Sequence, residues 1–166
     1  MIDFQTALAQ GRVTPDQAHA LFDSLAPVAS AFMLGDWEGS PFPTGHPMDG
    51  ALEATGWRGK RFVSLDEVHP LIFDDGQGGA FAVHPGRFMA RPVPGKASDR
   101  KAELQTDQPA ARLRQMEIRG QVTAAMVYDD LPIIDLFKRV DADTVLGLMD
   151  MRGMDQTYFF VLRRMA

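Results

Sequence analysis

Lys60 and Arg61 follow Gly56-Trp57-Arg58-Gly59, so two adjacent cations and a large apolar plane share one segment with little steric shielding. Arginine grips a carboxylate bidentately and lysine adds a point charge, so this set is equipped to hold an anionic head while Trp57 covers an apolar body. The plainer alternative is an exposed basic loop with Trp57 as a lid on the core. His46 and His69 each precede a proline, which biases the backbone toward extended conformations and fixes where the imidazole points. A neutral imidazole can act as a base, hydrogen-bond a ligand or bind a metal. Asp135 stands amid Ile133, Ile134, Leu136 and Phe137, where a carboxylate needs a partner or takes up a proton more readily. His46, His69 and Asp135 are therefore the first candidates for acid-base chemistry if a reaction is catalysed; otherwise Asp135 caps a helix or faces water.

Other chemistries find no support. There is no Gly-x-Ser-x-Gly elbow, no phosphate-binding Gly-x-x-x-x-Gly-Lys loop and no Gly-x-Gly-x-x-Gly fingerprint. The histidines at 19, 46, 69 and 84 form no close ligand pair, and cysteine is absent, so neither a metal site nor a disulfide is expected. A net charge of -5 argues against a nucleic-acid partner held through phosphates. No basic segment precedes an apolar one at the N-terminus and no long apolar run occurs, so a cytoplasmic chain without membrane contact is expected.

The elements that must position these groups fit one domain of 166 residues. The 15 glycines and 11 prolines favour a turn-rich fold over a helical bundle. Thr14-Pro15 starts an amphipathic helix whose stripe is Ala18, Leu21, Phe22 and Leu25, and Pro27 ends it. A strand enters at Gly35-Asp36-Trp37-Glu38-Gly39, and irregular backbone with one short helix near 48–54 follows. Ser64 to Glu67 has capping-box spacing and predicts a brief helical turn. Strands around 70–73 and 80–83 are joined by a Gly-rich hairpin loop, and the polar stretch 92–109 reads as a mobile loop. Even positions from Met116 through Ile118 and Met126 to Tyr128 are mostly apolar against polar odd ones, which predicts one long bent wall strand with Gly120 at the bend. Residues 133–140 predict a short helix plugging one end, and 144–150 and 157–164 predict strands.

The motif at 35–39, with Gly45-His46-Pro47-Met48-Asp49-Gly50, Gly56 to Phe62, Val68-His69-Pro70-Leu71, Met126 to Asp135, Val145 to Asp150 and Phe159 to Arg164, resembles the GXWXG protein family joined to its C-terminal companion domain of unknown function. The resemblance spans roughly residues 20 to 164, departs at Arg58, where an aromatic residue often stands, and implies no established activity. A wider similarity is to calycins: lipocalins, fatty-acid-binding proteins and nitrobindins. It implies an antiparallel barrel, mainly β, with an N-terminal helix and short helices at the barrel ends, in which Trp37 is covered by Arg163 or Arg164 and closes one end.

The expected organisation is a single domain, 1–166, with an N-terminal helix and lead-in at 12–34, a GXWXG-type half at 35–91, the loop at 92–109 and a wall-forming half at 110–166. The expected function is binding of a small apolar or aromatic ligand, with or without a carboxylate, lined by Trp57, Lys60, Arg61, His69, Met116, Ile118, Met126 and Tyr128. The alternative is a cofactor-independent isomerase, cyclase or lyase in the same cavity. A haem-binding barrel, by analogy to nitrobindins, is a further one; otherwise no cofactor is expected, and a homodimer is allowed.

Overall fold

The computed structural model describes residues 1–166. Helix α1 (Phe4–Gln10), which lies outside the sequence expectation, begins at Asp3, whose carboxylate accepts from the Thr6 amide. Helix α2 (Pro15–Ser24) starts as its sequence dictates: Thr14 and Gln17 form a reciprocal capping box, with Pro15 in the first turn. A two-residue strand, β1 (Ala26–Pro27), and a 3-10 turn at Ser30–Met33 then lead to the barrel.

The barrel strands are β2 (Gly35–Pro41), β3 (Trp57–Phe62), β4 (Val68–Asp74), then, after a short β5 (Ala80–Ala82) beside β4, β6 (Ala111–Ile118), β7 (Gln121–Tyr128), β8 (Ile133–Arg139), β9 (Thr144–Met151) and β10 (Tyr158–Arg164). Each wall strand pairs antiparallel with the next, and β10 returns to β2, so eight strands close an up-and-down barrel. This is the mainly β, calycin-like architecture expected. Helix α3 (Ala51–Thr55) lies between β2 and β3, and α4 (Pro85–Ala90), capped by His84, follows β5.

Two apolar clusters hold the fold. One fills the barrel and includes Trp37, Trp57, Phe62, Phe73, Met126, Phe137 and Phe160. The other lies outside the wall, where Phe4, Leu21 and Phe22 of α1 and α2 pack on Ala125, Leu136, Leu146, Leu148, Phe159 and Val161. Strands β7 to β10 are thus buried on both faces, and their apolar runs follow from that.

The structure corrects four sequence expectations. Residues 133–139 are strand β8, not a plugging helix; an apolar run covered on both sides has no period to tell it from a helix. The single wall strand at 116–128 is a hairpin of β6 and β7, turning at Arg119 and Gly120, whose φ angles are 50° and 80°. Across a two-residue turn, paired residues have opposite parity, so even positions face inward on β7 but outward on β6. Met116 and Ile118 therefore pack with the outer cluster, while Leu113 and Met126 face each other inside. Ser64 makes no helix; its hydroxyl accepts from the Asp66 and Glu67 amides in the tight turn between β3 and β4. The stretch 92–109 holds a 3-10 turn (Ala97–Arg100) running into α5 (Lys101–Leu104), anchored by buried Ala97 and Leu104.

Candidate functional site

Gly59 determines what reaches the barrel interior. The β3–β4 register shifts on both sides of it, and a Cβ at this position would collide with the Trp37 carbonyl oxygen. Trp57, Lys60 and Phe62 consequently all belong to the interior, whereas Arg61, opposite Asp36, points outward and binds that carboxylate at 2.6 Å. Neighbouring strand residues face opposite sides, so Lys60 and Arg61 cannot grip one head group together.

Lys60 is only 4% exposed and Asp135 1%, deep inside the barrel. The Lys60 Nζ lies 3.0 Å from Asp135 Oδ2, donates to the Pro70 carbonyl at 3.1 Å and stands 3.5 Å from the Tyr128 hydroxyl. Ring centroids of Phe160, Tyr128 and Trp57 surround it at 5.2, 5.7 and 5.8 Å. The ammonium thus sits in an aromatic cage with one counter-charge. Two glycines make room for it: a Cβ at Gly39 would enter the Trp57 ring, and one at Gly147 would enter the Phe160 ring. Burial pushes the Asp135 carboxyl above its ordinary value, with Lys60 pulling the other way. Burial and the Asp135 charge hold Tyr128 well above the usual phenol range.

Asp135 Oδ1 has no hydrogen-bond partner, nor have the Tyr158 hydroxyl and both carboxylate oxygens of Glu53. Tyr158 and Glu53 escaped the sequence reading. The available signal was a tyrosine opening a strand whose other inward residues are Phe160 and Leu162. An apolar recess of about 40 Å³ ends on Tyr128, Ile133 and Met149. It shares Met48, Leu52, Phe88 and Met89 with a groove of about 260 Å³ between α3, α4 and the 92–104 segment. Tyr128, whose hydroxyl stands 3.5 Å from Lys60 Nζ, is the residue through which the apolar recess meets the polar cluster.

The remaining candidates lie elsewhere. His46 is buried with both ring nitrogens used: Nδ1 accepts from the Met48 amide and Nε2 lies 3.0 Å from the Gln156 carbonyl. It fixes a loop at the mouth and is not free to move a proton. His69 is on the outer face, in a polar recess with Arg61, Lys101 and Gln105, and burial lowers its pKa. With both His46 ring nitrogens engaged and His69 on the outer face, neither fits as a ligand to haem inside the barrel. Trp37 donates its indole N–H to the Met33 carbonyl at 2.7 Å and carries the Arg164 guanidinium 4.3 Å above its ring. Arg164 also donates to the Leu34 and Phe32 carbonyls, while Arg163 turns outward to Ser40.

The family model described as GXWXG protein matches residues 20–78, and that of the domain of unknown function DUF4334 matches residues 109–164. The crystal structure of a protein from Thermomonospora curvata is 36% identical, aligned over 98% of this chain and 95% of that one, with a TM-score of 0.76. No curated protein matches the chain. No helix is long and apolar enough to cross a membrane.

Proposed function

For a chain that belongs to the GXWXG family, its second half matching the DUF4334 domain, we propose binding of a small apolar molecule within the barrel. The molecule enters between α3 and α4, lays its body along Met48, Leu52, Phe88 and Met89, and turns its polar end toward Asp135 and the two tyrosines. The observation that carries this reading is a buried ion pair with an unpaired carboxylate oxygen, next to Tyr128 and Met149, which line the apolar recess. Buried charges are expensive, and a filled, purely structural barrel would be served as well or better by apolar residues at both positions.

The test is titration with N-phenyl-1-naphthylamine, whose fluorescence rises in apolar surroundings, in the wild type and in Leu52→Trp. Saturable binding at one site, abolished by Leu52→Trp at an unchanged melting temperature, supports the reading. Equal fluorescence in both proteins refutes it.

Proton-transfer catalysis in the same chamber, as in an isomerase, cyclase or lyase, is favoured by one observation: a carboxyl whose proton affinity is raised stands beside a cation that can stabilise developing negative charge. An extract of the host incubated with wild type and with Asp135→Asn separates the two. A component consumed by the wild type alone identifies an enzyme, and a molecule retained unchanged by the protein identifies a carrier.

A further inference from the structure

The unpaired buried atoms specify what kind of polar end would fit the site. We infer, resting on the binding reading above, that the ligand carries a hydrogen-bond-donating head, a hydroxyl or an amine, seated over Met149 between Asp135 and Tyr158, and that a carboxylate head is rejected.

Two Lys60 donors are engaged at ordinary hydrogen-bond distances, by Asp135 Oδ2 and the Pro70 carbonyl, and the third faces the Tyr128 hydroxyl at 3.5 Å. An ammonium has three N–H donors, and three oxygens already surround it: Asp135 Oδ2, the Pro70 carbonyl and the Tyr128 hydroxyl. Aromatic faces occupy other directions. The unpaired atoms have the opposite character. Asp135 Oδ1 and the two Glu53 oxygens, when ionised, only accept, and the Tyr158 hydroxyl can do either. Folded proteins leave few buried polar atoms unpaired, and here acceptors outnumber donors.

Register brings these atoms to one place. Met149 on β9 is paired with Asp135 on one side and with Tyr158 on the other, so the three form one row across β8, β9 and β10. Adjacent strands lie about 4.8 Å apart, which sets the outer two backbones roughly 10 Å from each other with the Met149 side chain between them. Met149 also lines the apolar recess. A group entering the recess and resting on Met149 can donate to Asp135 Oδ1 and engage the Tyr158 hydroxyl. Burial first, and then the carboxylates of Glu53, Asp49 and Asp135, push the Tyr158 hydroxyl above the usual phenol range. The same charges oppose a carboxylate, which would be buried among like charges with no free cation.

Four probes with one naphthalene body distinguish the heads: 2-(1-naphthyl)ethanol, 2-(1-naphthyl)ethylamine, 1-naphthylacetate and headless 1-ethylnaphthalene, compared by calorimetry at pH 7. The alcohol or the amine is expected to bind roughly tenfold tighter than the headless probe, as a hydrogen bond to a charged group allows. The acid should bind more weakly than the headless probe. Tighter binding of either the alcohol or the amine than of the headless probe supports the inference, whichever of the two is preferred. Tyr158→Phe removes a hydroxyl without a partner, so its melting temperature should hold or rise while the affinity ratio of headed to headless probe falls several-fold. A carboxylate that binds as tightly as the alcohol and the amine overturns the inference and leaves the binding reading standing, as does a ratio untouched by Tyr158→Phe. If none of the four binds, the binding reading fails with it.

Discussion

Replacing Asp135 by Asn keeps the shape of the side chain and removes its charge, leaving the Lys60 ammonium buried without a counter-ion. At 3.0 Å and an effective dielectric constant of about 20, the lost attraction is about 5.5 kcal/mol. Part of it is retained, because the Asn carbonyl still accepts from Nζ, an interaction of about 1.5 to 3 kcal/mol with a charged donor. The bond to the Pro70 carbonyl and the three ring faces are unchanged. The net cost is therefore about 3 kcal/mol, at the low end of what breaking a buried pair entails. Lys60→Met should cost less, since Asp135, already displaced toward its protonated form by burial, can escape the loss by taking up a proton. The Lys60→Met penalty should accordingly shrink on going from pH 8 to pH 5. The double variant Lys60→Met/Asp135→Leu removes both charges and should equal or exceed the wild type by up to about 4 kcal/mol. Urea denaturation with constant slope measures all three. A loss below about 1 kcal/mol for Asp135→Asn, or a double variant as unstable as the sum of the singles, would show that the pair is neither dry nor coupled.

Arg164→Ala removes the guanidinium over Trp37 and two bonds to carbonyls, and should cost about 2 to 3 kcal/mol. Arg163→Ala, which loses only an exposed bond to Ser40, should stay within about 0.5 kcal/mol; chemical denaturation of the two variants compares them directly. Burial lowers the pKa of both His19 and His69 below 6.5, so the unfolded chain binds these protons more readily. Their contribution is complete above pH 6.5 and is lost as pH falls from there through the lower folded-state values. The melting temperature should therefore decline from pH 7.5 to 5.5, and His19→Gln/His69→Gln should flatten that slope; an unaltered slope would place the titration in other groups.

Much of the scaffold was legible because local chemistry and final position agree. Thr14, Pro15 and Gln17 specify the start of α2 without help from tertiary contacts, and the pairing of Trp37 with an arginine of the last strand follows from the calycin resemblance. Asp135 could be singled out because a carboxylate between isoleucines and a phenylalanine has to be accounted for. Its conformation could not, since helices cover the outer face of β8 and remove the alternation that marks a strand. Lys60 was visible as a cation but not as a buried one. Its orientation depends on a register shift at Gly59 that strand periodicity does not encode. Tyr158 and Glu53 come from distant parts of the chain, β10 and α3, and the Glu53 charge reaches Tyr158 only in the folded barrel.

The glycines and tryptophans that give the family its signature acquire a shared purpose from this geometry. Trp37 is paired with Lys60 across β2 and β3, and its carbonyl lies where any side chain at residue 59 would stand. Gly39 leaves the space that the Trp57 ring fills, and that ring faces the Lys60 ammonium. The contact between Trp37 and Arg164 involves none of these other positions. The additional demands at Gly39, Trp57 and Gly59 converge on one outcome: a lysine turned inward and held against Asp135 in an aromatic cage. That arrangement, with one Asp135 oxygen left unpaired and with Tyr128 and Met149 shared with the apolar recess, is what the proposed binding of a small molecule rests on.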